Sequence, residues 1–407
     1  MNKTIIYSFL ALISLSTCDG CGRQPKDQVK SSESTKTDPT EVLIKPTVNV
    51  YIENSGSMDG YVKGITEFEN AVYNYLSDIM ISGVSDSLNL FYINSKIIKY
   101  GSDIQDFIEK LEPSTFRARG GNRGTSDIAN VIDAVLNETQ ENEIGILVTD
   151  GIFSPGKIDA TEYLGIQQIG IKRRISDYLK RYPNTAVIVY QLSSNFSGTY
   201  YNKVDAKITI NEQRPFYIYV IGDSKQISNL RNNVADGKFK GSGVKNVFTS
   251  VVGSQEVKYT LNPSIGKYKK SRKDTKTTIE DLEKDSRTKK VKFAVNVDFS
   301  GLLLDDDYLS DLNNYESHSK YEMEVKPSIT KNGFTHTLTF TSDKVTKGIV
   351  SVKLKSKLPA WVEAANDDDG STAAKGKTYG IKYQLGGIFD AFTFNNSYYT
   401  EIKININ

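Results

Sequence analysis

Val48–Tyr61 reads VNVYIENSGSMDGY. Val48, Val50 and Ile52 form an apolar, β-favouring run that stops at Glu53, Asn54, Ser55, Gly56 and Ser57, so a buried strand is expected to end in a small turn rich in oxygen atoms. Asn-Ser-Gly-Ser is also ordinary turn chemistry. Its meaning depends on which other stretches the fold brings beside it.

Working outward, Glu67–Ser82 places Phe68, Val72, Tyr75, Leu76 and Ile79 at helical spacing, Ser87–Ser95 returns to strand character, and Asp103–Leu111 reads as a short helix. In Arg119–Asn137 (RGGNRGTSDIANVIDAVLN), Gly120, Gly121 and Gly124 make a loop and Thr125 to Asp127 suit a helix start. Ile128, Val131, Ile132, Val135 and Leu136 then form that helix's buried face. Ile144–Gly151 (IGILVTDG) is a continuous apolar run, as expected of a parallel strand covered on both faces, and it ends in Thr149-Asp150-Gly151. Gln167–Tyr182 and Ser224 to about Val234 read as helices, Ala186–Leu192 and Phe216–Gly222 as strands. Asn195–Arg214 reads as a projecting hairpin, with Tyr200 and Tyr201 facing solvent or a contact partner. The alternation predicts an α/β fold over 47–240, an open, doubly wound, mostly parallel sheet whose loops gather beyond the carboxyl ends of its strands.

Three such loops bear oxygen: Glu53-Asn54-Ser55-Gly56-Ser57, Gly124-Thr125 and Thr149-Asp150-Gly151. Two hydroxyls at i and i+2, a third from another loop and one or two carboxylates suit a hard divalent cation, Mg²⁺ first, with Mn²⁺ or Ca²⁺ as alternatives. Residues and order resemble the von Willebrand factor A domain with its metal-ion-dependent adhesion site, whose pattern is DxSxS, a Thr after a Gly-rich loop, and an Asp in a TDG-like strand end. The resemblance implies Ser55 and Ser57 as direct ligands, Thr125 as a direct or water-mediated one, and Asp150 as a carboxylate acting through water. It also implies a partner protein whose acidic side chain completes the coordination. Glu53 stands where the pattern has its first Asp. The longer side chain reaches the metal or its water only if the turn shifts.

After residue 244 the chain reads as strands: Val244–Tyr259, Val291–Phe299, Tyr321–Ile329, Thr335–Thr341, Gly348–Leu354, Tyr379–Leu385 and Tyr398–Ile406. Their alternating patterns suggest an antiparallel β-sandwich over 244–407, with the immunoglobulin-like sandwich as one such architecture. Gly266–Lys290 is dense in both charges and reads as a solvated excursion, with KKSRK as its basic run. Asp305-Asp306-Asp307 and Asn366–Gly370 are acidic turns without the ligand spacing of an EF-hand. Trp361 reads as a core anchor.

The first 17 residues carry Lys3 before an apolar Ile5–Ser16, as a secretory signal does, and end Leu15-Ser16-Thr17-Cys18. That resembles a bacterial lipobox, which implies acylation at Cys18. Residues 18–46 read as a flexible tether. The only cysteines, Cys18 and Cys21, and the only histidines, His318 and His336, stand far from the loops above, so neither a disulfide nor a His base serves them. A Cys18–Cys21 redox or metal pair is the other reading of the CxxC. Lys+Arg 51 against Asp+Glu 49 leaves a formal net charge of only +2, which argues against nucleic acid or an anionic membrane surface as the main partner.

The expected protein is therefore a non-enzymatic lipoprotein of the bacterial cell envelope that binds a protein through a divalent cation. Two other classes compete with this. One is a metal-independent structural component of an envelope complex, which Glu53 favours. The other is a serine hydrolase using Ser55 or Ser57, for which no GxSxG elbow is present and Lys63 is the nearest base.

Overall fold

The computed structural model describes residues 44–407 except 125–126, 154–155, 157–159, 235–238, 254, 329 and 331. The signal segment, Cys18, Cys21 and most of the tether lie outside the described residues. The opening stretch forms β1 (Thr47–Glu53), buried along nearly its whole length, followed by a 3-10 turn at Ser57–Gly60. Helix α1 (Glu67–Ser82) follows, started by Thr66, whose hydroxyl accepts from the Glu69 amide, and stopped by Gly83 at φ 68°. Its predicted stripe, Phe68 to Ile79, is buried.

Strands β2 (Ser87–Ile93) and β3 (Ile97–Gly101) lead to the short helices α2 (Ile104–Glu109) and α3 (Pro113–Ala118), then α4 (Ile128–Glu138) and β4 (Glu143–Thr149). Helix α5 (Ala160–Arg181), strands β5 (Thr185–Tyr201) and β6 (Lys207–Asp223), helix α6 (Ser224–Asn233) and β7 (Asn246–Val251) complete a seven-stranded sheet. Its order is β3-β2-β1-β4-β6-β5-β7. One face packs on α1 and α6, the other on α4 and α5.

The sheet is α/β but mixed, which corrects the expected mostly parallel one. Only β1 with β2 and β1 with β4 run parallel, whereas β2/β3, β4/β6, β6/β5 and β5/β7 are antiparallel. The cause is the 195–214 hairpin. It continues β5 and β6 without a crossover, and a short connection between paired strands enforces antiparallel pairing.

The second sheet takes β8 (Lys258–Lys270), β9 (Thr278–Glu283), β10 (Val291–Asp298), β11 (Tyr315–Ser317), β12 (Glu322–Pro327), β13 (His336–Ser342), β14 (Gly348–Lys355) and β17 (Tyr398–Ile406), with α7 (Asp306–Ser310) beside it. Between β14 and β17 lie α8 (Ala360–Ala364), the bridge of β15 (Asn366–Asp367) with β16 (Thr378–Tyr379), and α9 (Ile381–Phe392). The second sheet is one curled layer, β11-β14-β17-β9-β8-β10-β13-β12, in place of the expected two-sheet sandwich. The charged stretch 266–290 is not an excursion: it supplies the end of β8 and all of β9, burying Ile279 and Leu282 while Lys269 pairs with Asp281 at 2.9 Å.

No change of sheet falls at residue 244. Strand β7 joins the first sheet, α8 and α9 return to pack on it, and Trp361 donates from Nε1 to the Val247 carbonyl at 3.1 Å. Leu43–Asn407 is one compact unit. Of the predicted strand at Tyr379–Leu385 only Tyr379 is extended, in β16; Ile381–Leu385 instead start α9, which lies so close to α5 that a Cβ on Gly387 would stand 2.7 Å from the Gln168 carbonyl oxygen. Gly387→Ala thus sets two effects against each other. Helix propensity favours Ala by about 1 kcal/mol, and overpacking at so close an approach costs about 1–3 kcal/mol. Since the Gln168 atom is backbone and cannot swing aside, urea denaturation is expected to show net destabilisation.

Candidate functional site

Parallel pairing places Glu53 opposite Ile93 and Ile52 opposite Val148, so β1, β2 and β4 end at one edge of the sheet. The first and third oxygen-bearing loops meet there. Glu53 is 2% exposed and its Oε2 accepts a hydrogen bond from the Thr149 hydroxyl. Asp150, next in sequence, is 1% exposed. Its Oδ1 accepts from the Ile152 amide at 3.1 Å, while its Oδ2 is buried without a hydrogen-bond partner among the described residues. Burial, and then the neighbouring Glu53 carboxylate, push Asp150 up to about 7, against the opposing pull of the Ser57 hydroxyl, the Ile152 amide and the Arg214 charge.

Ser55 and Ser57 flank Gly56 at the start of the 3-10 turn, with their Oγ atoms 3.0 Å apart. Ser55 is buried and Ser57 half-buried. Of the sequence-predicted set, the structure brings Glu53, Ser55, Ser57 and Asp150 to this one strand-end region. Thr125 and the acylation candidate Cys18 lie outside the described residues.

Several residues that hold the loops were not singled out in the sequence. Asn54 donates to the Phe116 carbonyl at 3.1 Å and its Oδ1 accepts from Asn94 at 3.0 Å; Asn94 also donates to the Gly120 carbonyl at 2.9 Å. Arg123 donates from Nε to the Asn54 carbonyl at 2.7 Å and from Nη2 to the Ser55 carbonyl at 3.1 Å, and forms an ion pair with Asp59. Its own carbonyl accepts from the Gly56 amide at 2.9 Å. The Gly-rich loop is thus strapped to the serine turn by its arginine, which the GGNRGT sequence displays but does not explain. Gly121 is required there: at φ 81°, a Cβ would fall 2.0 Å from Asn94 Oδ1. The third loop is held from the distant C-terminal segment, where the Gln384 side chain donates to the Gly151 carbonyl and accepts from the Tyr219 hydroxyl at 2.9 Å.

Beside the serine turn a cleft of about 470 Å³ is lined by Gly56, Asp59, Lys63, Arg117, Arg123 and Tyr201. Tyr201 comes from the β5–β6 hairpin, and its neighbour Tyr200 is 2% exposed under the Arg214 guanidinium, which corrects the solvent-facing reading of that residue. The acidic turns take up basic side chains: Asp305 pairs with Arg231 at 2.7 Å, Asp368 with Lys382 at 2.8 Å and Asp369 with Lys203 at 3.2 Å. Among the described residues no group of three or more His, Cys, Asp and Glu could hold a metal ion. The serine turn offers hydroxyls and two carboxylates instead. Comparison with protein-family models, curated proteins and solved structures finds no match.

The buried acid gives a signed pH dependence. With Asp150 raised from 3.8 to about 7, the metal-free folded chain holds a proton that the unfolded chain releases, so stability falls as pH rises between about 4 and 7. Asp150→Asn abolishes that loss. In chelator at about pH 8 it is expected to melt above the parent, and below about pH 4 the two should converge, as read by thermal melts across pH.

Proposed function

We propose that the chain is a lipid-anchored lipoprotein of the bacterial cell envelope, which binds a protein partner through a divalent cation at the end of its first sheet, on a domain of von Willebrand factor A type. The observation that carries this reading is the oxygen set at the strand ends. Adjacent ligands of an octahedral ion at about 2.0–2.1 Å stand about 3 Å apart, and the Ser55 and Ser57 hydroxyls are separated by 3.0 Å. Near them are two buried carboxylates, one with an oxygen that no described residue satisfies. A cation would favour the ionised form that burial now opposes.

Ser55 and Ser57 would hold the ion, with Glu53 and Asp150 supplying negative charge and Thr125 joining them as the family pattern implies. The cation would supply an open coordination position for an acidic side chain of the partner. The rest of the partner would lie over the cleft containing Lys63, Arg117 and Arg123. Supporting the A-type reading are the parallel trio β2-β1-β4, the helices on both faces, and the loops gathered at one edge. Cys18 would anchor the chain, with 18–46 lifting it off the membrane.

A second reading, a metal-independent component of an envelope complex, draws on the Thr149 hydroxyl, which already satisfies one oxygen of Glu53. Thermal melts separate the two. A ligand held by the folded state alone raises stability by about 2.7 kcal/mol at a hundredfold excess over its Kd. Mg²⁺ or Mn²⁺ at millimolar concentration is expected to raise the melting point, and Ser55→Ala with Ser57→Ala to abolish the rise. An unchanged melting point in the parent chain would sink the cation reading. For the anchor, Cys18→Ser is expected to move the protein out of the membrane fraction, and unchanged fractionation would defeat that part.

A further inference from the structure

A second concavity lies apart from the strand-end loops, on the face of the first sheet covered by α5. It has a volume of about 760 Å³ and opens between one side of α5, the residues after β7 and the turn that follows α9. Pockets that bury small ligands run from roughly 300 to 1,000 Å³ and are mostly apolar, with a few polar groups placed to orient the ligand. Helix α5 contributes Ile169, Lys172, Arg173, Ser176 and Leu179, a single stripe at helical spacing, while its other stripe, Ile171, Ile175 and Tyr178, is buried on the sheet. Opposite the exposed stripe stand Val252, Ala391, Phe392 and Phe394.

Two features set this cavity apart from an ordinary surface groove. Ile169 and Phe394 are 69% and 72% exposed at its mouth, so apolar surface is left uncovered on both sides of one concavity. The charge at the rim is also net positive, with Lys172, Arg173 and Lys180 against Asp177. Lys180 is paired with Asp177 at 2.8 Å, whereas Lys172 and Arg173 have no ion-pair partner among the described residues. The Lys172 ammonium instead sits 5.0 Å from the centre of the Phe394 ring, which keeps a cation at the edge of the apolar wall.

We propose that this cavity binds a single-chain anionic amphiphile of the fatty-acid type. Its tail lies against Leu179, Val252, Phe392 and Phe394, and its carboxylate lies between Lys172 and Arg173. An apolar wall alone would accept any hydrophobe; the unpaired cations select the negative head. A concave site suits one molecule, whereas a bilayer surface would call for apolar residues on a projecting face. None of these residues belongs to the cation site, so the proposal does not depend on it.

The test uses the full-length chain carrying Cys18→Ser, which removes the acylation site of the reading above and lets the protein be purified without detergent, and 1-anilinonaphthalene-8-sulfonate, itself an anionic amphiphile, as the fluorescent probe. Saturable enhancement displaced by dodecanoate but not by dodecyltrimethylammonium is expected, unchanged by chelator. Lys172→Glu with Arg173→Glu, on exposed or half-exposed positions, is expected to weaken probe binding about tenfold, the equivalent of ~1.4 kcal/mol, with the melting point unaltered. Phe394→Asp is expected to do the same. Equal displacement by the cationic amphiphile, or binding indifferent to both variants, would overturn the proposal. So would attachment to anionic phospholipid vesicles without displacement of the probe by dodecanoate, which would mark the face as membrane-apposed instead.

Discussion

Two carboxylates, Glu53 and Asp150, are buried where neighbouring parallel strands end, and the surrounding structure answers to their charge. Burying an ionised carboxylate costs several kcal/mol unless hydrogen bonds or opposite charge offset it. The Thr149 hydroxyl and the Ile152 amide supply hydrogen bonds, and Arg214, itself 2% exposed, supplies distant positive charge. The compensation is incomplete at Asp150 Oδ2. An arrangement that stays unsatisfied in a well-packed interior is the kind of local cost associated with functional sites rather than with packing.

Arg214 links this charge to the long hairpin. Its guanidinium lies over the Tyr200 ring and donates to the carbonyls of Ala374 at 2.8 Å and Lys377 at 2.9 Å, so one buried cation joins β6, the end of β5 and the segment before β16. Strand β6 is also where Tyr217 and Tyr219 reach Thr378 and Gln384. The insertion of β6 between β4 and β5 is therefore part of how the third loop is held, because it places Tyr219 against the Gln384 side chain that donates to the Gly151 carbonyl.

Much of the first sheet was legible from local pattern. The Val48–Ile52 run, the α1 stripe and IGILVTDG each carry enough period or apolar length to specify an element and its end, and the strand ends gave Glu53, Ser55, Ser57 and Asp150 directly. Pairing direction was not legible, since β6 reads equally well as a parallel or an antiparallel core strand until its partner is known. Tyr379–Leu385 alternates apolar residues at period two, and only Ile388, Ala391 and Phe392 beyond it reveal the helical face of α9. Gly386 and Gly387 are poor helix formers in themselves, and their missing side chains are what permits contact with α5. The lysines and acids of 266–283 concealed a strand pair because its charges point outward while Ile279 and Leu282 turn in. Arg123 and Gln384 were invisible as site residues for a different reason: what they satisfy is backbone carbonyls of remote loops, which leave no local signature.

The return of the chain to the first sheet has consequences for how the site can behave. After building seven strands of the second sheet, the polypeptide crosses back through α8 and α9, fixes Gly151 through Gln384, and only then lays down β17 between β14 and β9. The third site loop is thus secured by residues more than two hundred positions away in sequence. Contacts of such separation form late relative to local ones, since loop closure must precede them. The Gly151 carbonyl therefore gains its side-chain partner only once α9 has docked against the first sheet, and the Phe153 amide, which meets the Tyr379 carbonyl at 3.5 Å, ties the same loop to the segment before that helix.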